Sequence, residues 1–171
     1  ADYFFRLENS GSPHVDFVSP PVVPSFADSE VTLYGRELPG SEPSDLQAVD
    51  GVLLERLTVK VGELIRGDRP GGMLLPPASA AVGGEVFRLA KGTEASNPFY
   101  IGLCEGLSMA MEEGANDTAD EAQTVPSPGL VAGRFFPARD VDCYRFPIRK
   151  DSVYWLNVFS QRLGKKTNPY V

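Results

Sequence analysis

The sequence predicts an all-β protein built from stacked sheets. Three observations predict it. The 171 residues include 17 Gly and 15 Pro, which punctuate a chain into short elements and leave little room for long helices. Apolar and polar side chains alternate repeatedly, the period of a half-buried strand. About six predicted strands fall within roughly the first hundred residues, the spacing of a β-sandwich. A core is within reach, because 42% of residues are hydrophobic and 23% charged.

In order, Asp2 to Glu8 is dense in aromatics and reads as a strand, and a chain that starts on a strand reads as a piece of a longer polypeptide. Asn9 to Pro13 is a turn cluster. His14 to Val18 alternates as a second strand, broken by Pro20, Pro21 and Pro24. Glu30 to Gly35 is a third, rich in β-branched and aromatic residues. Pro39 to Asp45 reads as loop. Leu53 to Val61 has the clearest pattern: Leu57, Val59 and Val61 share one face, and Arg56, Thr58 and Lys60 the other. Gly67 to Gly72 is loop. Met73 to Leu75 runs into Pro76 and Pro77, which exclude a central strand, and Ala78 to Val82 suits one helical turn. Glu85 to Ala90 alternates with Phe87 and Leu89 inward. Phe99 to Cys104 is the last strand of this half.

Charge then marks a boundary near Glu105 to Glu113. From Glu105 to Gly133 there is no Lys or Arg, and six acidic residues lie between Glu105 and Glu121; from Arg134 onward eight basic residues face three acidic ones. The expected units are therefore residues 1–104 and 105–171, with an acidic linker at 105–123. Strands are predicted at about Gly129 to Phe135, Val141 to Phe146 and Ser152 to Ser160. The last, apolar on both faces, is expected to be central and covered. Three strands are thin for a sheet that must bury a Trp, so the second unit is expected to be incomplete or to borrow strands.

The formal charge of −7 argues against a nucleic-acid partner, which calls for a basic face. No apolar run reaches the roughly 20 residues that span a bilayer, and the start does not read as a charged-then-apolar leader, as expected of a mature chain or an excised piece. No nucleophile elbow, phosphate loop or zinc-helix motif is present. The single His14 heads a strand, where a polar edge residue is the plainer reading than a catalytic one.

Oxygen ligands cluster in one place. Asp140 and Asp142 share parity, so their carboxylates point the same way. Glu113, Asn116 and Asp117 sit in the linker, which can fold back over them. Calcium takes six to eight oxygens in forgiving geometry; zinc wants the His and Cys that are scarce here. A solvated acidic linker beside a turn is the alternative. Cys104 and Cys143 flank the linker, and either a disulfide or two buried free thiols fits them. Tyr144, Tyr154 and Trp155 are read as core. Arg134, Arg139, Arg145, Arg149 and Lys150 form a basic stripe, read as facing solvent or the acidic linker.

Asn116-Asp117-Thr118, Ala122-Gln123, Val131-Ala132-Gly133-Arg134 and Asp140-Val141-Asp142-Cys143-Tyr144-Arg145-Phe146 together resemble the opening half of a bacterial pre-peptidase C-terminal domain. In that family an acidic Glu-Pro-Asn segment precedes an Asp-x-Asp-x-aromatic strand; here Glu113-Gly114-Ala115-Asn116 is one residue longer and lacks the proline. Ser96-Asn97-Pro98 and Ser160 to Gly164 resemble the version in large secreted planctomycete-type proteins, where it follows an immunoglobulin-like domain of the transcription-factor-like (IPT/TIG) kind. Val31 to Gly40 is similar to the early strand and turn of such a domain.

The resemblance implies an immunoglobulin-like β-sandwich followed by a partial jelly-roll-like β-sandwich module. It also implies secreted, periplasmic or cell-surface localisation, and Ca²⁺ held by Glu113, Asn116, Asp117, Asp140 and Asp142. The expected role is non-catalytic: linking, orienting or anchoring neighbouring domains of the same polypeptide. A module binding polysaccharide or extracellular matrix protein through aromatics is the alternative. A carboxylate-pair hydrolase is a third.

Overall fold

A computed structural model describes residues 11–48, 50–67, 83–134 and 140–160. Alternation in the first half becomes two facing four-stranded sheets. One contains β1 (His14–Ser19), β3 (Glu30–Arg36), β5 (Leu53–Lys60) and β4 (Glu42–Gln47), in the order β1-β3-β5-β4 and antiparallel throughout. The other contains β2 (Val22–Val23), β10 (Phe99–Leu103), β7 (Gly84–Arg88) and β6 (Ile65–Arg66), in that order, with β2 parallel to β10. A small hairpin, β8 (Ala90–Lys91) with β9 (Glu94–Ala95), turns through Gly92. The protein is an all-β sandwich.

The sheets close over one core. Val15, Val18, Val31 and Leu33 meet Phe87, Phe99 and Ile101 from the opposite sheet, with Leu57 and Val59 packed against them. Phe26 adds an edge-to-face contact with Phe87 at 5.3 Å, the geometry aromatic quadrupoles favour. Strict alternation would place Val15 and Phe17 on one face. A register shift between them turns Phe17 outward, where it stacks on Tyr34 at 4.6 Å, and brings Val18 into the core; an extra residue in one strand does this. Gly35 opposes Val15 so closely that any Cβ there would collide with the His14 carbonyl.

One side chain ties the sheets together at their rim. The Val15 amide donates to Asn97 Oδ1 at 2.7 Å, and Asn97 Nδ2 donates to the Val15 carbonyl at 2.9 Å. Asn97 thus gives Val15 the donor and acceptor that a neighbouring strand would give. The buried Ser96 hydroxyl, beside it, accepts from Leu89 N and donates to the Asn97 carbonyl.

The second half carries two short parallel ladders. β11 (Ser108–Met111) pairs with β13 (Gly129–Ala132), and β12 (Gln123–Thr124) with β14 (Tyr144–Arg145). The ladders interlace: β12 lies between β11 and β13 in sequence, and β13 between β12 and β14.

The structure corrects several expectations. The Pro39 to Asp45 loop contains the start of β4, which lies at the edge of its sheet, the position where a strand accepts a proline such as Pro43. Directly after the Pro20–Pro21 break, β2 forms another edge strand. The linker holds β11 and β12. In the Val141 to Phe146 segment only Tyr144–Arg145 is strand. Ser152 to Ser160 forms no strand, and its apolar residues apart from the half-buried Phe159 are exposed, Val153 by 86% and Trp155 by 87%. Two-faced apolar patterning marks a strand that would tolerate cover on both sides, but it does not supply the partners. The expected strand at Asp2 to Glu8, the loop from Asp68, and the features at 73–82 lie outside the described residues.

Candidate metal centre

The site grows from the end of the β11–β13 ladder. The Glu112 amide continues it, donating to the Ala132 carbonyl at 2.9 Å. The side chain then turns back, and Glu112 Oε2 accepts from the Arg134 amide at 2.6 Å. Gly133 makes this approach possible, since a Cβ there would run into the Glu112 carboxylate. The neighbouring Gln123 fixes the strand end: its Nε2 donates to the Met111 carbonyl at 2.7 Å and its Oε1 accepts from the Glu113 amide at 3.1 Å.

Asp140 and Asp142 arrive from the chain leading into β14. Asn116 anchors that chain. Its side chain is buried, 1% exposed. The Cys143 amide donates to the Asn116 carbonyl at 2.7 Å, and Asn116 Nδ2 donates back to the Cys143 carbonyl at 3.3 Å. Gln123 N also donates to the Cys143 carbonyl, and Val125 N to that of Arg145. These bonds place carboxylate oxygens of Glu112, Asp140 and Asp142 within 4.8 Å of one another.

Electrostatics follow from that placement. The Asp142 carboxyl is pushed up from 3.8 to about 6, first by burial and then by repulsion from Glu112, Asp140 and Asp117. The Tyr144 phenol is raised to about 12, mainly by burial, with Asp142 and Glu112 adding to it and a hydrogen bond from Asn116 opposing it. Negative charge is concentrated where solvent is partly excluded, which a divalent cation would relieve. The donors are all oxygen, the set a hard cation takes. Glu112, Asp140 and Asp142 would hold it, and the remaining ligands would be backbone or water oxygens. An oxygen-only set does not suit zinc.

Of the five residues singled out in the sequence, Asp140 and Asp142 come together. Asp117 is exposed and acts on Asp142 through its charge. Asn116 serves as the buried anchor beneath the site. Glu113 is exposed and outside the carboxylate group; its neighbour Glu112 joins instead. The register of β11 decides between these adjacent acids, since Met111 pairs with Ala132 and so sets Glu112 beside Gly133. The signal in sequence was Gly133 itself, a residue that admits close approach.

Beside Glu112 an open depression of about 280 Å³ is bordered by Ser19 and Pro21 of the sandwich and by Met111, Gly133 and Arg134. Cys104 and Cys143 are both free thiols. Within the basic stripe, Arg145 Nη2 donates to the Ala119 carbonyl at 3.0 Å, holding the acidic linker. His14 is exposed at the head of β1. Comparison with protein-family models, with curated proteins and with solved structures finds no match.

Proposed function

We propose that this chain is a non-catalytic accessory module of a larger secreted bacterial protein, in which the second unit is stiffened by Ca²⁺ and orients or anchors its neighbours. The convergence of Glu112, Asp140 and Asp142 carries the reading. An ion there would join the end of the β11–β13 ladder to the entry of β14, two pieces that otherwise repel. The resemblance of residues 116–146 to the opening of a pre-peptidase C-terminal domain supports the same role. Calorimetric titration with Ca²⁺ tests it. Saturable binding in the wild type, abolished in Asp140→Asn, is expected; no heat at millimolar Ca²⁺ defeats the reading.

One observation favours a second reading, a polysaccharide- or matrix-protein-binding module. Trp155 is 87% exposed between Val153 and Leu156, and an exposed indole is suited to stacking on a ligand. Retention on insoluble glycan or collagen, lost in Trp155→Ala with the fold intact, would establish it. Equal retention of wild type and variant would remove it.

A further inference from the structure

Asp50-Gly51 is the only Asp-Gly pair in the sequence, and it sits at the tip of the β4–β5 hairpin. Such a pair is prone to cyclise, because glycine presents its backbone nitrogen with no Cβ in the way. Here both reacting groups are bonded to other partners. Arg36 Nη2 donates to Asp50 Oδ1 at 2.7 Å and to Oδ2 at 2.8 Å. The Val52 amide donates to Oδ1 at 3.2 Å. The Gly51 amide, the would-be nucleophile, donates to the Ala48 carbonyl at 2.9 Å. Both charged side chains remain substantially exposed, at 39% and 53%, so water reaches them freely.

We propose that Asp50-Gly51 is a latent site of spontaneous isoaspartate formation, and that the Arg36 guanidinium is the latch that keeps it silent. The reaction needs the carboxyl in its acid form. The Gly51 nitrogen bonds to Asp50 Cγ, the Cγ–OH bond breaks, and the hydroxyl leaves with the amide proton as water. The five-membered imide then takes water back. Attack at Cγ restores aspartate. Attack at the Asp50 backbone carbonyl leaves the main chain running through Cγ, which is isoaspartate. Nothing is oxidised, and water is the only co-reactant. Two hydrogen bonds from one guanidinium keep the carboxylate ionised and fix its rotor. The Arg36 bond, followed by that from Val52, accordingly holds Asp50 below the usual carboxylate range. The product would matter structurally. An added backbone carbon at residue 50 would disturb the Ala48 N to Val52 O bond and the Gln47–Leu53 pairing that close the hairpin.

The test is ageing of the purified chain at neutral pH and physiological temperature. Isoaspartate is then measured in the peptide bearing residues 50–51, by enzymatic methyl labelling and by fragmentation mass spectrometry. Arg36→Gln is expected to accumulate it several-fold faster than wild type. Arg36→Lys, a point charge without the fork, is expected to fall between. Asp28-Ser29 and Asp151-Ser152 in the same digest should convert at unchanged rates. Equal conversion at Asp50 in wild type and Arg36→Gln, with β3–β5 amides still protected from exchange, would overturn the proposal. If Arg36→Gln does not fold, a folded Arg36→Lys that converts no faster than wild type would overturn it as well.

Discussion

The two halves of the described chain are held together by different physics. In the sandwich, the most buried side chains are Phe87, Leu33, Ile101, Val23, Val31 and Val61, all apolar apart from Ser96 and Pro13 alongside them. Between Ser108 and Arg145, the most buried side chain is Asn116, and among the described residues only Val125 and Ala132 join it as buried apolar groups. Apolar burial is non-directional and indifferent to pH. A frame made of one amide, a few backbone bonds and three crowded carboxylates depends on geometry and on ionisation. The first half is thus held by packing, and the second by bonds and charges that respond to pH.

Four measurements sharpen or break that contrast, in falling order of effect. Phe87→Ala should destabilise the sandwich by about 3–5 kcal/mol, the cost of a cavity at a fully buried aromatic, as read from chemical denaturation. A loss below about 1 kcal/mol would mean the core is less tightly packed than its burial indicates. Asn116→Ala should cost about 0.5–1.5 kcal/mol, because it removes the Nδ2 bond to the Cys143 carbonyl, which keeps only the bond from Gln123 N. Hydrogen exchange should show the loss at Gln123, Val125 and Cys143, with β3 and β10 unchanged. Fast exchange across both halves would show them to be one cooperative unit.

The third measurement is a pH profile. The folded Asp142 has its pKa raised from 3.8 to about 6, so the folded state binds a proton more tightly than the unfolded one between those values. Stability therefore falls as pH rises from about 4 to about 6 and stays lower above that. Asp142→Asn should flatten this slope, and millimolar Ca²⁺ should offset the loss at neutral pH in the wild type but not in the variant. A slope unchanged in Asp142→Asn would place its origin elsewhere. The smallest effect is expected at Trp155→Ala, within about 0.5 kcal/mol, because an exposed side chain leaves no cavity. A larger loss would show that the indole is packed against something in solution.

Legibility in the sequence divides along the same line. Period-two patterning located β1, β3, β5 and β7, and the run after Asn97-Pro98 located β10; alternate burial is followed in β3, whereas β7 and β10 bury adjacent residues. It did not reveal β4, since Pro43 and the surrounding polar residues suit an edge that needs little cover. In the second half it placed β13 within Gly129 to Phe135 and β14 within Val141 to Phe146, but not their partners β11 and β12, which lie in the stretch read as acidic linker. At the site, parity brought out Asp140 and Asp142. The choice of Glu112 over Glu113 depended on the register of β11 against β13, a long-range fact carried only by Gly133. The segment around Trp155 shows the converse: its composition suits a covered strand, but covering requires neighbours that composition does not specify.

The interlacing of the two ladders has a practical corollary. Parallel strands cannot be joined by a tight turn, so each connection here spans the partner of the other. A premature stop between Ala132 and Asp140 would leave β12 without its mate and Glu112 without both aspartates. No autonomous half-piece is available within this region, and an expression boundary has to enclose residues 108–145 intact.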